Sequence, residues 1–293
     1  MTEETPLRRF ISEFASSRLA LCGLVLLGIV LAIAIFAPWI SPQNPYDLAK
    51  LDLMDSRLEP GAKSLGSSFT YLLGTDGQGR DMLSAIFYGL RVSLTVGVAS
   101  GVIALTLGGL LGVLAAYVGG RFESILMRVV DIQLGFPAIL VALILIAVLG
   151  KGVDKIIIAL VCVQWAYYAR TARSAALVER GKEYMEAARG LGLGRMRIVL
   201  KHLLPNALPP LIVVGTVQVA HAIALEATLS FLGLGLPTTE PSLGLLIANG
   251  YQYLLSGKYW ISFFPGIALL CTIVSINLVA DQLRDVLNPR LQR

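Results

Sequence analysis

Long apolar runs constrain this chain more than any other feature. A helix that crosses a bilayer needs roughly 20 apolar residues at a rise of about 1.5 Å each. Five stretches meet that length: 19–40, 92–118, 132–150, 208–232 and 260–280. A sixth, 153–169, has only a short apolar core from Ile156 to Ala169. Only 15% of the 293 residues are charged, where soluble domains carry about 25%. The fold class that follows is all-α and polytopic, in a lipid bilayer. The net charge of +5 does not point to nucleic acid, because the basic residues sit beside the apolar runs and orient them. Cys22, Cys162 and Cys271 lie inside those runs, which argues against a disulfide framework or a zinc site. His202 and His221 are too few for a His-rich metal site.

Charge placement decides the sixth span. With six crossings and a cytoplasmic N-terminus, 16 of the 24 Lys and Arg residues fall inside. Five of the eight outside lie in the long 41–91 loop, where the bias counts for less. If 153–169 did not cross, the eight basic residues from Arg170 to Lys201 would change sides. Six transmembrane helices with both termini cytoplasmic are therefore expected. The expected organisation is a cytoplasmic N-terminus (1–18), a first transmembrane helix (19–40) and an extracytoplasmic loop (41–91). A five-helix domain (92–281) with a cytoplasmic loop at about 172–207 follows, then a cytoplasmic tail (282–293). Arg8 and Arg9 before an apolar run containing Ala32-Ile33-Ala34 leave a signal peptide as the alternative for 19–40. The run continues to Ile40, longer than a usual signal core, and Trp39 suits an interfacial anchor, so a retained helix is the expectation.

In the outer loop, Gly74, Gly77 and Gly79 mark turns and Asp81 suits a helix start. Met82, Leu83, Ile86, Phe87 and Leu90 then share one face, which predicts an interfacial helix leading into the membrane. Asp76, Arg80 and Asp81 are read as caps and ion pairs rather than a catalytic cluster. Gly108, Gly109 and Gly112 predict a close helix approach.

The cytoplasmic loop is basic and reads EYMEAARGLGLGRMRIVLKHLLPNALPP from Glu183. Helix formers run through Met185-Glu186-Ala187-Ala188-Arg189, and Gly190, Gly192 and Gly194 then break the helix. Arg195 to Leu204 forms a second helical stretch, and Pro205 with Pro209-Pro210 bends the chain into the next span. Small Ala187 and Ala188 let a partner surface approach closely. The glycines follow a helix and not a strand, and no G-x-x-x-x-G-K-[ST] occurs, so the chain is not expected to bind nucleotide.

Glu186-Ala187-Ala188, Gly192 and Leu204-Pro205 resemble the EAA-x3-G-x9-I-x-LP signature of ABC-importer permeases, with His202 in the isoleucine place. The KHLLPN form resembles the oligopeptide/dipeptide/nickel subfamily, as do LGTDGQGRDMLSAIFYGLRVSLTVG (73–97) and EATLSFLGLGLPTTEPSLGLLI (226–247). The chain resembles the second permease of that subfamily. The resemblance implies a type I importer permease fold in a bacterial inner membrane. It implies two ABC ATPase subunits that bind the ATP, a second homologous permease and an extracytoplasmic solute-binding protein. The chain itself would need no cofactor. The cargo implied is di- or oligopeptide, with nickel or another small solute as the alternative. Glu186, Ala187, Ala188, Gly192, Leu204 and Pro205 would then form the element that couples to the ATPase.

Gln218, His221 and Glu226 lie on one broad face of the fifth span. Polar groups within a membrane usually face the bundle interior or an aqueous cavity, so a translocation pathway is one expectation. A structural or gating role is the other, suggested by the place of Glu226 in the 226–247 stretch, and the structural role is favoured. An intramembrane enzyme is a weaker alternative. Ser230 and His221 are nine residues apart, about 13 Å along one helix, too far for a dyad. Asp131 and Asp281 are better placed as interfacial charges. A stand-alone channel or carrier does not explain the EAA-like loop.

Overall fold

A computed structural model describes residues 6–47, 51–66, 68–237 and 239–287. Residues 288–293 of the expected tail at 282–293 lie outside the described residues, as do 1–5 of the expected N-terminus. The described chain is helical, with two isolated β-bridges in the outer loop. The helices are α1 (Pro6–Ala15), α2 (Arg18–Ile40), α3 (Met82–Val118), α4 (Gly120–Gly135), α5 (Ala138–Leu149), α6 (Val153–Arg180), α7 (Glu183–Gly190), α8 (Arg195–Arg197), α9 (Leu204–Phe231), α10 (Leu243–Tyr251) and α11 (Trp260–Val286).

Among the described residues, four helices are long and apolar enough to cross a membrane: α2, α3, α11 and the rod Arg195–Phe231 that joins α8 to α9. The pair α4 and α5 adds a fifth if counted as one span. This corrects the simple run expected at 132–150. Pro137 follows α4, and the two helices meet at 93°. The 153–169 stretch lies in α6, which is long enough to cross but less apolar, because it is packed inside the bundle. Ile156, Ala159, Leu160, Ala166, Tyr168 and Ala169 are all buried. A helix walled by protein can carry Gln164 and Tyr168 where a lipid-facing one would carry leucine.

The contact of α6 with α3 depends on glycine. A β-carbon at Gly108 would overlap the carbonyl oxygen of Trp165, and one at Gly112 that of Ala169. Gly109 would meet only ordinary contact. About three turns earlier on α3, a β-carbon at Gly97 would come within 2.6 Å of the Ile223 side chain on α9. Small residues spaced by four thus bring backbones together, as packing in lipid requires.

The 37-residue α3 measures about 55 Å, well beyond a hydrocarbon core of about 30 Å. Its first turns are the helix expected at the interface; of the five apolar residues expected on one face, Leu83 and Phe87 are partly exposed and Met82, Ile86 and Leu90 are buried. Met82, Ala85, Ile86 and Leu90 are buried against α2, α10 and α11. Asp81 caps α3 by accepting from the Ser84 amide at 2.8 Å and its hydroxyl at 2.6 Å. The outer loop below it is tightly built. Arg80 and Asp76 form a buried ion pair at 2.7 Å, and Asp55 accepts from Ser64, Leu65 and Tyr71. Trp260 of α11 donates its indole N–H to the Thr75 carbonyl at 3.1 Å, locking the loop to the last helix.

α2 is integrated into this bundle. A β-carbon at Gly23 would come within 2.6 Å of Leu278 on α11, so the segment considered as a signal peptide packs as a structural helix.

Candidate functional site

Two places stand out, one at the end of α6 and one in the bundle. At the first, α7 turns opposite faces to opposite surroundings. Glu183, Glu186, Ala187 and Gly190 are exposed, while Met185 and Ala188 are buried. Ala188 thus packs inward; of the two alanines, Ala187 alone offers a small surface to a partner. Met185 and Ala188 join one apolar cluster with Ile198, Val199, Leu203, Ala207 and Leu211 of the α8–α9 rod, and with Ala172 and Ala176 of α6. The same cluster reaches Ala104 and Val113 on α3. The inner face of α7 is therefore packed against three long helices.

Gly192 ends α7 for a conformational reason. Its φ is +69°, and no atom approaches the place of a β-carbon within 4 Å. The Leu193 amide bonds the Ala188 carbonyl at 3.3 Å and the Gly192 amide bonds that of Arg189 at 3.0 Å. This is a Schellman turn, which needs a left-handed residue after the helix. It returns partly buried Leu193 to the cluster that holds Ala188.

Polar ties fix the other end of α7. Glu179 accepts from the Lys182 ammonium at 2.6 Å and from the Tyr184 hydroxyl at 2.8 Å. Burial alone would raise the Glu179 carboxyl, but these two donors outweigh it and hold it below the usual range. Burial and then Glu179 push the Tyr184 hydroxyl up to about 12. Arg180 donates to the Ala116 carbonyl at 2.7 Å, joining the ends of α6 and α3.

Leu204 is partly buried against the same cluster and Pro205 is exposed at the start of α9. The expected bend at the prolines is absent: the rod runs through them. Its adaptation is the π-turn Ile198–Leu203 immediately before Pro205. Proline lacks an amide hydrogen and crowds the carbonyl four residues back, here that of Lys201, and a widened turn relieves both. The Asn206 side-chain amide donates to the His202 carbonyl at 2.6 Å in the same turn.

The second place divides the polar stripe of α9. Gln218 and His221 line a cavity of about 570 Å³ together with Gln164 and Tyr167 of α6 and Asn277 of α11. Glu226 is elsewhere. It is fully buried, and its carboxylate accepts from Ser93 of α3 at 2.9 Å and from Ser230 at 2.8 Å. Beside it, Gly244 of α10 lies against the Ala227 backbone. Ser230 is thus committed to Glu226, and His221 lies apart from it on the cavity wall. Asp131 of α4 pairs with Arg170, and Glu123 with Arg173 at 2.5 Å, both ties running from α4 to α6. Gln164 and Asn277 were missed in the sequence, although a glutamine amid the apolar run of α6 is the same signal that marked Gln218.

The profile described as "Binding-protein-dependent transport system inner membrane component" matches residues 108–293. A second, "N-terminal TM domain of oligopeptide transport permease C", matches residues 5–60. The chain belongs to the binding-protein-dependent transport permeases. It is 43% identical over 289 residues to the dipeptide transport system permease protein DppC of Escherichia coli (strain K12), covering 99% of this chain and 95% of that one. It is 37% identical over 288 residues to the di/tripeptide transport system permease protein DppC of Pseudomonas aeruginosa (strain UCBPP-PA14), covering 98% and 93%. Among solved structures it resembles a chain of the MetNI methionine ABC transporter in an inward-facing conformation. The TM-score is 0.58 at 24% identity, covering 70% of this chain and 97% of that one. The fold is thus that of a type I ABC importer permease, a transport subunit and not an enzyme. Family and apolar helices together make it a multi-pass inner-membrane protein.

Proposed function

We propose that this chain is one of two homologous permeases in an ATP-driven importer of di- or oligopeptides. An extracytoplasmic binding protein delivers the peptide, and two ABC ATPases on the cytoplasmic side supply the energy. In this reading the chain crosses six times, with the bent α4–α5 pair as the third crossing and α6 as the fourth, and the distribution of basic residues supports both termini and α7 on the cytoplasmic side. The observation that carries this reading is the division of α7. Its outer face, with Glu186 and Ala187, is free to seat in a partner groove, and its inner face is packed into the bundle. A short rigid helix of this kind converts motion of the ATPases into rigid-body motion of α3, α6 and α9. Nucleotide state then biases inward- against outward-facing forms through a free-energy linkage. Peptide is favoured as cargo by the dipeptide and di/tripeptide systems of its relatives.

Reconstitution tests the proposal. Proteoliposomes holding the chain with its partner permease and ATPases should take up a labelled dipeptide only when ATP and the binding protein are both present. A cysteine at Ala187 should cross-link to an ATPase subunit. Uptake independent of ATP, or no cross-link from Ala187, would contradict it.

A further inference from the structure

The cavity between α5, α6, α9 and α11 has walls of unusual chemistry for a compartment that must pass polar cargo. Its polar lining consists of Gln164, Tyr167, Gln218, His221, Thr228 and Asn277, with no Asp, Glu, Lys or Arg. The carboxylate nearest in sequence, Glu226, is turned away and held by Ser93 and Ser230. Thr228 gives its hydroxyl to the Ala224 carbonyl. What remains for a ligand is a set of amide, imidazole and phenol groups from three helices.

Gln164 is fixed in a way that assigns its atoms. Its amide nitrogen donates to the Gln218 carbonyl at 2.9 Å. A carbonyl only accepts, so the nitrogen must face it, and Oε1 is the acceptor that is left. Gln164 is only 3% exposed, and its Oε1 has no hydrogen-bond partner in this state. That atom is buried, so Gln164 orders the wall by holding the Gln218 carbonyl, and the cavity meets cargo through the groups in front of it.

We infer that Gln218, His221 and Asn277, on a wall that Gln164 holds in place, form the cargo-contacting subsite of this subunit, and that it takes an uncharged amide-bearing stretch, the peptide backbone, without anchoring charged groups. The inference rests on the peptide-import reading above. A fixed charge on this wall would retain cargo of opposite sign and repel cargo of like sign. The amide and hydroxyl dipoles of this wall treat a lysine-bearing and a glutamate-bearing peptide alike, since both present the same backbone. The cavity volume lies in the usual range of small-ligand sites.

The test compares uptake of Ala-Lys and Ala-Glu by proteoliposomes holding the full complex, each peptide supplied at saturating occupancy of the binding protein. The wild-type rates should agree within about twofold. Asn277→Asp should favour Ala-Lys and His221→Lys should favour Ala-Glu, each shifting the ratio about tenfold, as a new charge a few ångströms from the cargo predicts. A ratio needs no correction for the amount of complex assembled, and either variant suffices. A wild-type preference beyond tenfold, or an unchanged ratio in a variant that still transports, would overturn the subsite and leave peptide import standing. No ATP-driven uptake of either peptide by the wild type would overturn the import reading, and the subsite with it.

Discussion

Met185 and Glu186 are consecutive residues of α7 that face opposite ways, one fully buried and the other exposed. One side chain anchors the helix in the bundle and the next is free to meet a partner. The coupling account follows from this division, and it separates residues that would fail by undocking from residues that would fail by lost contact.

Met185→Ala removes a fully buried side chain from the cluster shared with Leu203 and Leu211. Such deletions cost about 2–5 kcal/mol. The expected outcome is local loosening of α7, seen as faster hydrogen exchange over residues 183–193, with the transmembrane helices still folded. Unchanged exchange there would show that the inner face does not anchor α7.

Gly192 tests the turn. Its left-handed φ costs a residue with a β-carbon about 1–2 kcal/mol. Gly192→Ala should therefore weaken coupling more than Gly192→Asn, because asparagine tolerates this conformation. No atom crowds the site, so backbone conformation and not side-chain size should order the series. Equal behaviour of the two variants would place the role of Gly192 in partner contact instead.

Gly108 and Gly112 carry the α3–α6 contact, with Gly109 as an internal control. Alanine at Gly108 or Gly112 should destabilise the purified subunit by about 1–3 kcal/mol, the usual range for overpacking. Alanine at Gly109 should leave the melting temperature nearly unchanged.

The Glu179 knot predicts a pH dependence. Its folded carboxyl lies below the usual range, so its contribution is present above the unfolded value and is lost as pH falls through the folded one. Tyr184 is raised to about 12, so its contribution is present below the unfolded value and is lost as pH rises through the folded one. Protease sensitivity of the α6–α7 junction should thus rise in acid and again in strong alkali. Glu179→Gln should remove the acid limb.

Much of this architecture is legible in the sequence because lipid imposes a simple rule on surfaces that face it. The runs at 19–40 and 260–280 fall within α2 and α11 at nearly the same limits. The rule weakens where a helix is enclosed by protein. α6 reads as a weak span for that reason, and the expectation that it crosses rests on the positions of its basic neighbours. Pro137 was a visible signal for the break between α4 and α5, but its size of 93° is set by packing. The coupling motif was legible as a motif. Its split into inward Ala188 and outward Glu186 was not, because a short helix has a buried face only once its neighbours are known. Gln218, His221 and Glu226 share a face by helical spacing, yet Ser93, far away in sequence, takes Glu226 out of the cavity.

The most direct test of the account is the number of peptides imported per ATP hydrolysed by the reconstituted complex carrying Glu186→Lys. The substitution reverses an exposed charge and leaves Met185 and Ala188 packed, so the fold should be retained. The account predicts that ATP hydrolysis continues while import per ATP falls at least about tenfold. Import per ATP at the wild-type value, in this variant and in one with a bulky residue at Gly192, would contradict the claim that α7 couples the two.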